Sequence, residues 1–382
     1  MCPCDLLSFS ENWDKLYYPE ARRSTMSLSD IQDGAEFKRR ERKLGTLLCS
    51  PESLGLILFT DGVPLWKSSG QALWPIYLAV SNLPPHLRMQ KENLILNGVY
   101  VGEGKPKMKQ LLSPTITMLK KLERGVAINT PTGVKNVSGI LLCAIFDMPA
   151  KALALNMKQF NGYNGCPTCL HPGIHRGRCM LYPPHQCNLR THASFVSSAE
   201  EAESSGSVIN GVFGKSVLQP CLDLVNGIPV DYMHCVLEGV ARSLLHRWTS
   251  STNHRQPYYL GRKLKEIDSL LLQQCPPHYF TRSPRSLAKH LAYWKASEIR
   301  TWLLYYALPV LSEFLPPLYL HHTSLSVTAV HILPKQDISK PPFSAAEAMI
   351  DTFYKLLPEL YDEESCTANA HCLTHLTKYV RL

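Results

Sequence analysis

Leu54-Gly-Leu-Ile-Leu-Phe-Thr-Asp61 and Ile140-Leu-Leu-Cys-Ala-Ile-Phe-Asp147 are two short apolar runs, each closed by a single aspartate. Runs of this length, bounded by turn residues, read as buried strands. Between them, Leu73–Val80 and Asn93–Val101 are two more strand-like stretches. Lys107–Arg124 places Leu111, Leu112, Ile116, Leu119 and Leu122 at helical spacing between lysines, with Gly125 as its stop. Val137–Phe146 is again a strand, and Ala150–Phe160 reads as a helix.

The order is strand, strand, strand, helix, strand, helix. A ribonuclease-H-like core has this order, with its first and fourth strands side by side, so Asp61 and Asp147 would meet at the strand ends. The expected fold class is therefore α/β: a ribonuclease-H-like mixed sheet over 51–160, followed by a largely α-helical insertion region. A polar segment, 1–50, precedes the core. A Cys/His-rich loop region follows at 161–230, and a helical insertion domain at 231–382. Met233–Trp248, Gly261–Leu272, Ser286–Leu315, Ala345–Leu360 and Ala370–Leu382 read as its helices. No internal repeat is visible.

The 382 residues suffice for a sizeable core. A net charge of +9 is compatible with nucleic acid and equally with simple solubility. No apolar stretch reaches the length of a membrane span, so no membrane is expected. Met1-Cys-Pro-Cys-Asp5 lacks the features of a signal peptide, and an intracellular setting makes a close cysteine pair a metal site before a disulfide. Lys38-Arg39-Arg40-Glu41-Arg42-Lys43 reads either as an import signal, placing the chain in the nucleus, or as a solvated helix face.

Phosphodiester cleavage accumulates negative charge, which two Mg²⁺ or Mn²⁺ ions about 4 Å apart can stabilise. Such ions take hard carboxylate oxygens, and Asp61 and Asp147 suit that role. The plainer reading is that each aspartate starts a turn or caps the next helix. Cys166-Pro-Thr-Cys169 has the spacing of a zinc-binding cysteine pair, and His371 and His375 sit at i and i+4. Together they would form a structural Cys₂His₂ zinc site. A competing local site draws on His171, His175, Cys179, His185, Cys187 and His192. In Asp231-Tyr-Met-His234, Asp231 is expected to cap a helix and His234 is left open. Glu238 would lie on that helix's face, and Glu298 reads as an exposed helix glutamate near Arg300.

Several motifs in matching order carry a family resemblance. They are Thr60-Asp-Gly-Val-Pro-Leu-Trp-Lys-Ser-Ser69, Leu73-Trp-Pro-Ile, Leu83-Pro-Pro, Gly104-Lys-Pro-Lys-Met108, Phe160-Asn-Gly-Tyr-Asn-Gly-Cys-Pro-Thr-Cys169, Asp231-Tyr-Met-His234 and Asn369-Ala-His-Cys-Leu-Thr-His-Leu376. From about residue 28 onward the chain resembles the transposases of CACTA-type (En/Spm-like) DNA transposons. The resemblance implies a DDE-type core with a helical insertion, related to the recombinase that rearranges immune-receptor genes. It makes Asp61 and Asp147 the first two acids, and Cys166, Cys169, His371 and His375 the zinc ligands. The partner implied is DNA, with self-association open. The third acid should be a glutamate after the histidine pair, yet the sequence ends at Tyr379-Val-Arg-Leu382. The expectation is a truncated or domesticated member, inactive as given. The alternative is a non-enzymatic, zinc-containing DNA-binding or protein-interaction protein.

Overall fold

A computed structural model describes residues 13–18, 27–44, 52–66, 70–130, 133–278, 280, 282–335 and 337–381. Met1–Asp5 and Lys67–Ser69, both used above, lie outside the described residues. The chain is a mixed α/β protein that divides into two compact units. One comprises residues up to Met180, Gln186–Val230 and Lys378–Leu382; the other comprises Leu181–His185 and Asp231–Thr377.

The first unit is built on a mixed sheet of β1 (Ser53–Thr60), β2 (Val63–Pro64), β3 (Gln71–Val80), β4 (Ile95–Glu103), β5 (Val126–Thr130) and β6 (Gly133–Ile145). β3 pairs antiparallel with β1, β2 and β4, and β5 pairs antiparallel with β6. β1 and β6 run parallel, with Phe59 opposite Ile145. The first and last of the expected strands are thus neighbours. Leu54, Leu56 and Leu58 share one face and are all buried, and Ile57 on the other face is buried too, as a short unbroken apolar run implies. They join Ile76, Leu78, Val80, Ile95 and Leu141 in one cluster.

α1 (Ala35–Leu44) carries the basic run, and Arg39 and Arg40 both bond Glu36 on the same helix. Phe37 packs with Ile140 and Leu142 of β6. α2 (Met108–Glu123) buries Met108, Leu112, Thr115, Ile116, Leu119 and Leu122 in a single stripe. A Cβ on Gly139 would come within 2.8 Å of Leu122, so this helix and β6 approach too closely for any side chain there. Gly125 ends the turn after α2 at φ +93°, a left-handed conformation that suits glycine.

Three expectations need correction in this unit. The helix expected to run to Phe160 is α3 (Met148–Leu155), stopped by Asn156 in a left-handed cap at φ 54°. The strand expected from Val137 begins at Gly133, because Gly133–Val137 pairs with Thr130–Val126 as a hairpin that the sequence reading missed. The supposed loop region 161–230 contains α4 (His192–Ser205). Its signal was present: Thr191 and Ser194 form a reciprocal capping box, and Phe195, Ala199 and Ala202 bury one face.

The second unit is helical. It includes a wide-turned segment Met233–Ala241 running into α5 (Arg242–Thr249), α6 (Leu264–Leu272), and the pair α7 (Pro317–Ile332) and α8 (Lys340–Leu360). Where one helix was expected over Ser286–Leu315, the run is broken: Leu287–His290 stands apart, and Ala296–Thr301 continues through the wide-turned Trp302–Tyr306 into Ala307–Leu311. The break comes at Trp294, whose extended backbone buries its ring against Trp302 at 6.1 Å.

His322 of α7 is fully buried, stacked on Phe353 at 4.3 Å. Its Nε2 donates to the Phe353 carbonyl at 2.9 Å, and its Nδ1 has no partner among the described residues. Burial pushes its pKa down to about 4, against an opposing pull from the Phe353 carbonyl. Because the folded value lies below the unfolded one, stability is full above about pH 6.5 and falls as pH drops toward 4. Roughly 3 kcal/mol is at stake. His322→Gln should flatten this loss in urea titrations between pH 7 and 4.5; an equally steep loss in the variant would assign the acid sensitivity elsewhere.

Candidate metal centre and strand-end carboxylates

Asp61 and Asp147 each lie two residues beyond the paired positions Phe59 and Ile145. The parallel register therefore carries both aspartates to the same step at the C-terminal ends of adjacent strands. Neighbouring strands lie about 4.8 Å apart. Asp61 is exposed and accepts the Gly62 N–H at 2.7 Å, opening the turn into β2. Asp147 is half-buried and caps α3, accepting the Ala150 N–H at 2.7 Å. Both local roles foreseen for these residues are present, and each aspartate follows its strand at the same register step.

Cys166, Cys169, His371 and His375 form a buried group whose possible ligand atoms all lie within 4.8 Å of one another. Among the described residues, it is the group of three or more metal-ligating side chains so placed. The cysteine turn is tightly built. Gly165 sits where a Cβ would approach the Gln159 carbonyl to 2.2 Å, and the Thr168 N–H donates to Cys166 Sγ at 3.4 Å. The neighbouring Cys166 thiol and burial push the Cys169 thiol well above its usual range. A buried pair held like this is inert as a nucleophile unless a cation draws off its protons.

Arg190 is the residue that sequence reading missed. It is 2% exposed, and its guanidinium donates to four carbonyls: Cys166 (2.9 Å), Cys169 (3.1 Å), Asn164 (3.0 Å) and Asn210 (2.7 Å). It thereby holds the cysteine turn in shape with a positive charge behind it. Burial lowers its pKa, while the two cysteines pull it back up. Thr168, between the cysteines, bonds the Tyr379 hydroxyl at 2.9 Å.

The histidines do not share one helix. α9 (Ala368–Leu373) carries His371; His375 falls in the turn before α10 (Leu376–Arg381). The break follows from Thr374, whose hydroxyl bonds back to the His371 carbonyl at 2.7 Å. Even so, the two Nε2 atoms are 3.3 Å apart. A tetrahedral zinc with Zn–N bonds of about 2.05 Å separates its nitrogens by about 3.3 Å. The Tyr354 hydroxyl donates to the Tyr182 carbonyl and so accepts from His371 Nδ1 at 3.2 Å. That bond puts the proton on Nδ1 and leaves the Nε2 lone pair for a metal, the usual way an outer group sets a ligand's tautomer. Tyr182 also stacks on the His371 ring at 5.1 Å.

The local alternative loses its best member. His171 is buried, but its Nδ1 accepts the Gly173 N–H at 2.9 Å, while His175, Cys179 and His185 are exposed. Asp231 is a cap as expected, accepting the Met233 N–H at 2.8 Å, and its other oxygen holds His234 Nδ1 at 2.7 Å. Glu238 pairs with Arg242 at 2.6 Å. Glu298 corrects its expectation: it is buried, and it binds the Arg285 fork and the Lys295 N–H instead of standing exposed near Arg300. Burial would raise its carboxyl, but Arg285 and Lys295 outweigh that and hold it below the usual range.

No curated protein matches this sequence. The family model described as "Transposase family tnp2" matches residues 26–216, which is half of the chain and includes Asp61, Asp147, Cys166 and Cys169. The strand-end aspartates and the cysteine turn thus fall inside the matched segment, and the chain belongs to the transposase family tnp2.

Proposed function

We propose that the chain carries the core of a CACTA-type, DDE-lineage transposase, a ribonuclease-H-like sheet whose substrate is DNA. The observation that carries this reading is the shared register step of Asp61 and Asp147 at the ends of parallel β1 and β6. In this reading Asp61 and Asp147 are the first two metal-holding carboxylates. Divalent metal bound there would activate the attacking oxygen and stabilise the leaving one. Asp61, exposed at a strand end, faces incoming substrate; Asp147, tied to α3 by its cap, is the fixed member of the pair. Cys166, Cys169, His371 and His375 hold a structural zinc, and the shared proximity of their ligand atoms supports that assignment. Acting on DNA places the protein in the nucleus.

Glu298 and Glu238, the further acids weighed in the helical region, are both committed to arginines, so neither stands free as a metal ligand beside Asp61 and Asp147. The purified 382-residue polypeptide is therefore expected not to nick supercoiled plasmid in Mg²⁺ or Mn²⁺. Robust Mn²⁺-dependent nicking that disappears in Asp61→Ala and Asp147→Ala would refute that inactivity and assign a substitute acid. A second reading, a zinc-stabilised protein that binds DNA without cutting it, is favoured by the net charge of +9. It predicts binding that weakens steeply as salt rises.

A further inference from the structure

The turn that leaves Asp61 enters β2, and the described residues at the end of β2 are unlike the rest of the sheet. Val63 pairs with Leu73, Pro64 pairs with Ala72, and the Leu65 N–H donates to the Gln71 carbonyl at 3.0 Å. That register puts Trp66 opposite Gly70. The Trp66 indole is 68% exposed, and Val63 and Leu65 beside it are also exposed. Large apolar groups left in water need a reason when they cluster.

The neighbouring strand supplies a charge pattern. Gln71 of β3 pairs with Glu103 of β4, and the Gly104 N–H donates to the Gly70 carbonyl at 3.3 Å. Trp66, Gly70 and Gly104 therefore form one row, two strand spacings or about 10 Å across. Directly after Gly104 come Lys105 and Lys107, both exposed and without an ion pair among the described residues. Along the chain, Trp66 lies five residues past Asp61, up to about 17 Å at strand spacing. The surface joins a bare aromatic face to unpaired cations, the combination that suits a polyanion carrying flat bases better than an apolar protein partner.

We propose that the Val63–Trp66 stretch and the Gly104–Lys107 segment form a binding site for an unpaired DNA strand, with one base stacked on Trp66 and the phosphates held by Lys105 and Lys107. The site rests on the reading of Asp61 as a strand-cleaving carboxylate, because it specifies where the strand beside that carboxylate runs. Trp66 is a positioning residue and takes no part in bond cleavage.

The test is fluorescence anisotropy with a labelled oligothymidylate and a blunt duplex of equal length, in metal-free buffer across a salt series. Trp66→Ala should weaken single-strand binding about 5- to 100-fold, and Trp66→Phe should restore most of it. Duplex binding should change less than about twofold in either variant. Lys105→Gln with Lys107→Gln should lower the salt slope for the single strand by about 1.4. Melting curves should be unchanged, since all three side chains are exposed. Single-strand binding that ignores Trp66→Ala, an equal loss on duplex, or no single-strand binding by the wild type would each overturn the proposal. Mn²⁺ binding separates it from the carboxylate reading: Trp66→Ala should leave that binding intact, and its loss in Asp61→Asn tests the carboxylates alone.

Discussion

Cys166→Ser and His371→Ala should each strip the protein of its zinc and lower its melting temperature by roughly 10 °C. The size of the effect follows from burial. All four residues of the group are buried, and a structural zinc site contributes folding energy directly, so the variant loses the metal and leaves polar groups unpaired in the interior. Elemental analysis should find about one zinc per wild-type chain and almost none in either variant. The two variants must behave alike. Zinc retained in His371→Ala but lost from Cys166→Ser would return the metal to a local Cys/His set around residues 171–192. The 3.3 Å spacing of the two Nε2 atoms would then be a plain histidine contact.

Arg190→Met should cost about 3–5 kcal/mol, read as a lower urea midpoint, and should weaken zinc retention against a chelator. The guanidinium satisfies the carbonyls of Cys166, Cys169, Asn164 and Asn210 at once, and methionine leaves all four without their donor. Arg190→Lys should rescue only part of the loss, because a point charge on a flexible stem cannot fill a planar fork. A variant as stable as the wild type would mean that water or a shifted backbone satisfies those carbonyls instead.

The elements most legible in the sequence are those whose signal is periodic or local. The apolar run of β1 shows in its leucines, α2 in its apolar stripe, and the helix stop at Gly125 and the helix start at Asp231 in single residues with one dominant conformational use. The strand order made β1 and β6 neighbours because a parallel pair needs only the right sequence of elements. What stayed hidden depends on contacts far along the chain. Arg190 looks like any surface arginine until the loops around Asn164 and Asn210 close over it. Glu298 reads as a solvated helix residue until Arg285, thirteen positions earlier, is brought across a turn that no periodicity announces. The break between His371 and His375 is a different case. Helical spacing and the Thr374 back-bond compete locally, and the bond wins without moving the two rings out of reach. β5 was missed for a third reason: Val126-Ala-Ile-Asn-Thr130 is a short run in which Ile128 alone is fully buried, so its alternating burial leaves little apolar signal in the sequence.

In the proposed reading Asp61 and Asp147, each two residues beyond paired positions of parallel strands, share a divalent cation. Titrating Mn²⁺ into the zinc-loaded protein, with free Mn²⁺ counted by its electron paramagnetic resonance signal, tests this most directly. The account predicts saturable binding in the wild type that falls at least about tenfold in both Asp61→Asn and Asp147→Asn, with zinc content unchanged. Equal Mn²⁺ binding in the wild type and both variants would contradict it, leaving Asp61 as a turn residue and Asp147 as a helix cap.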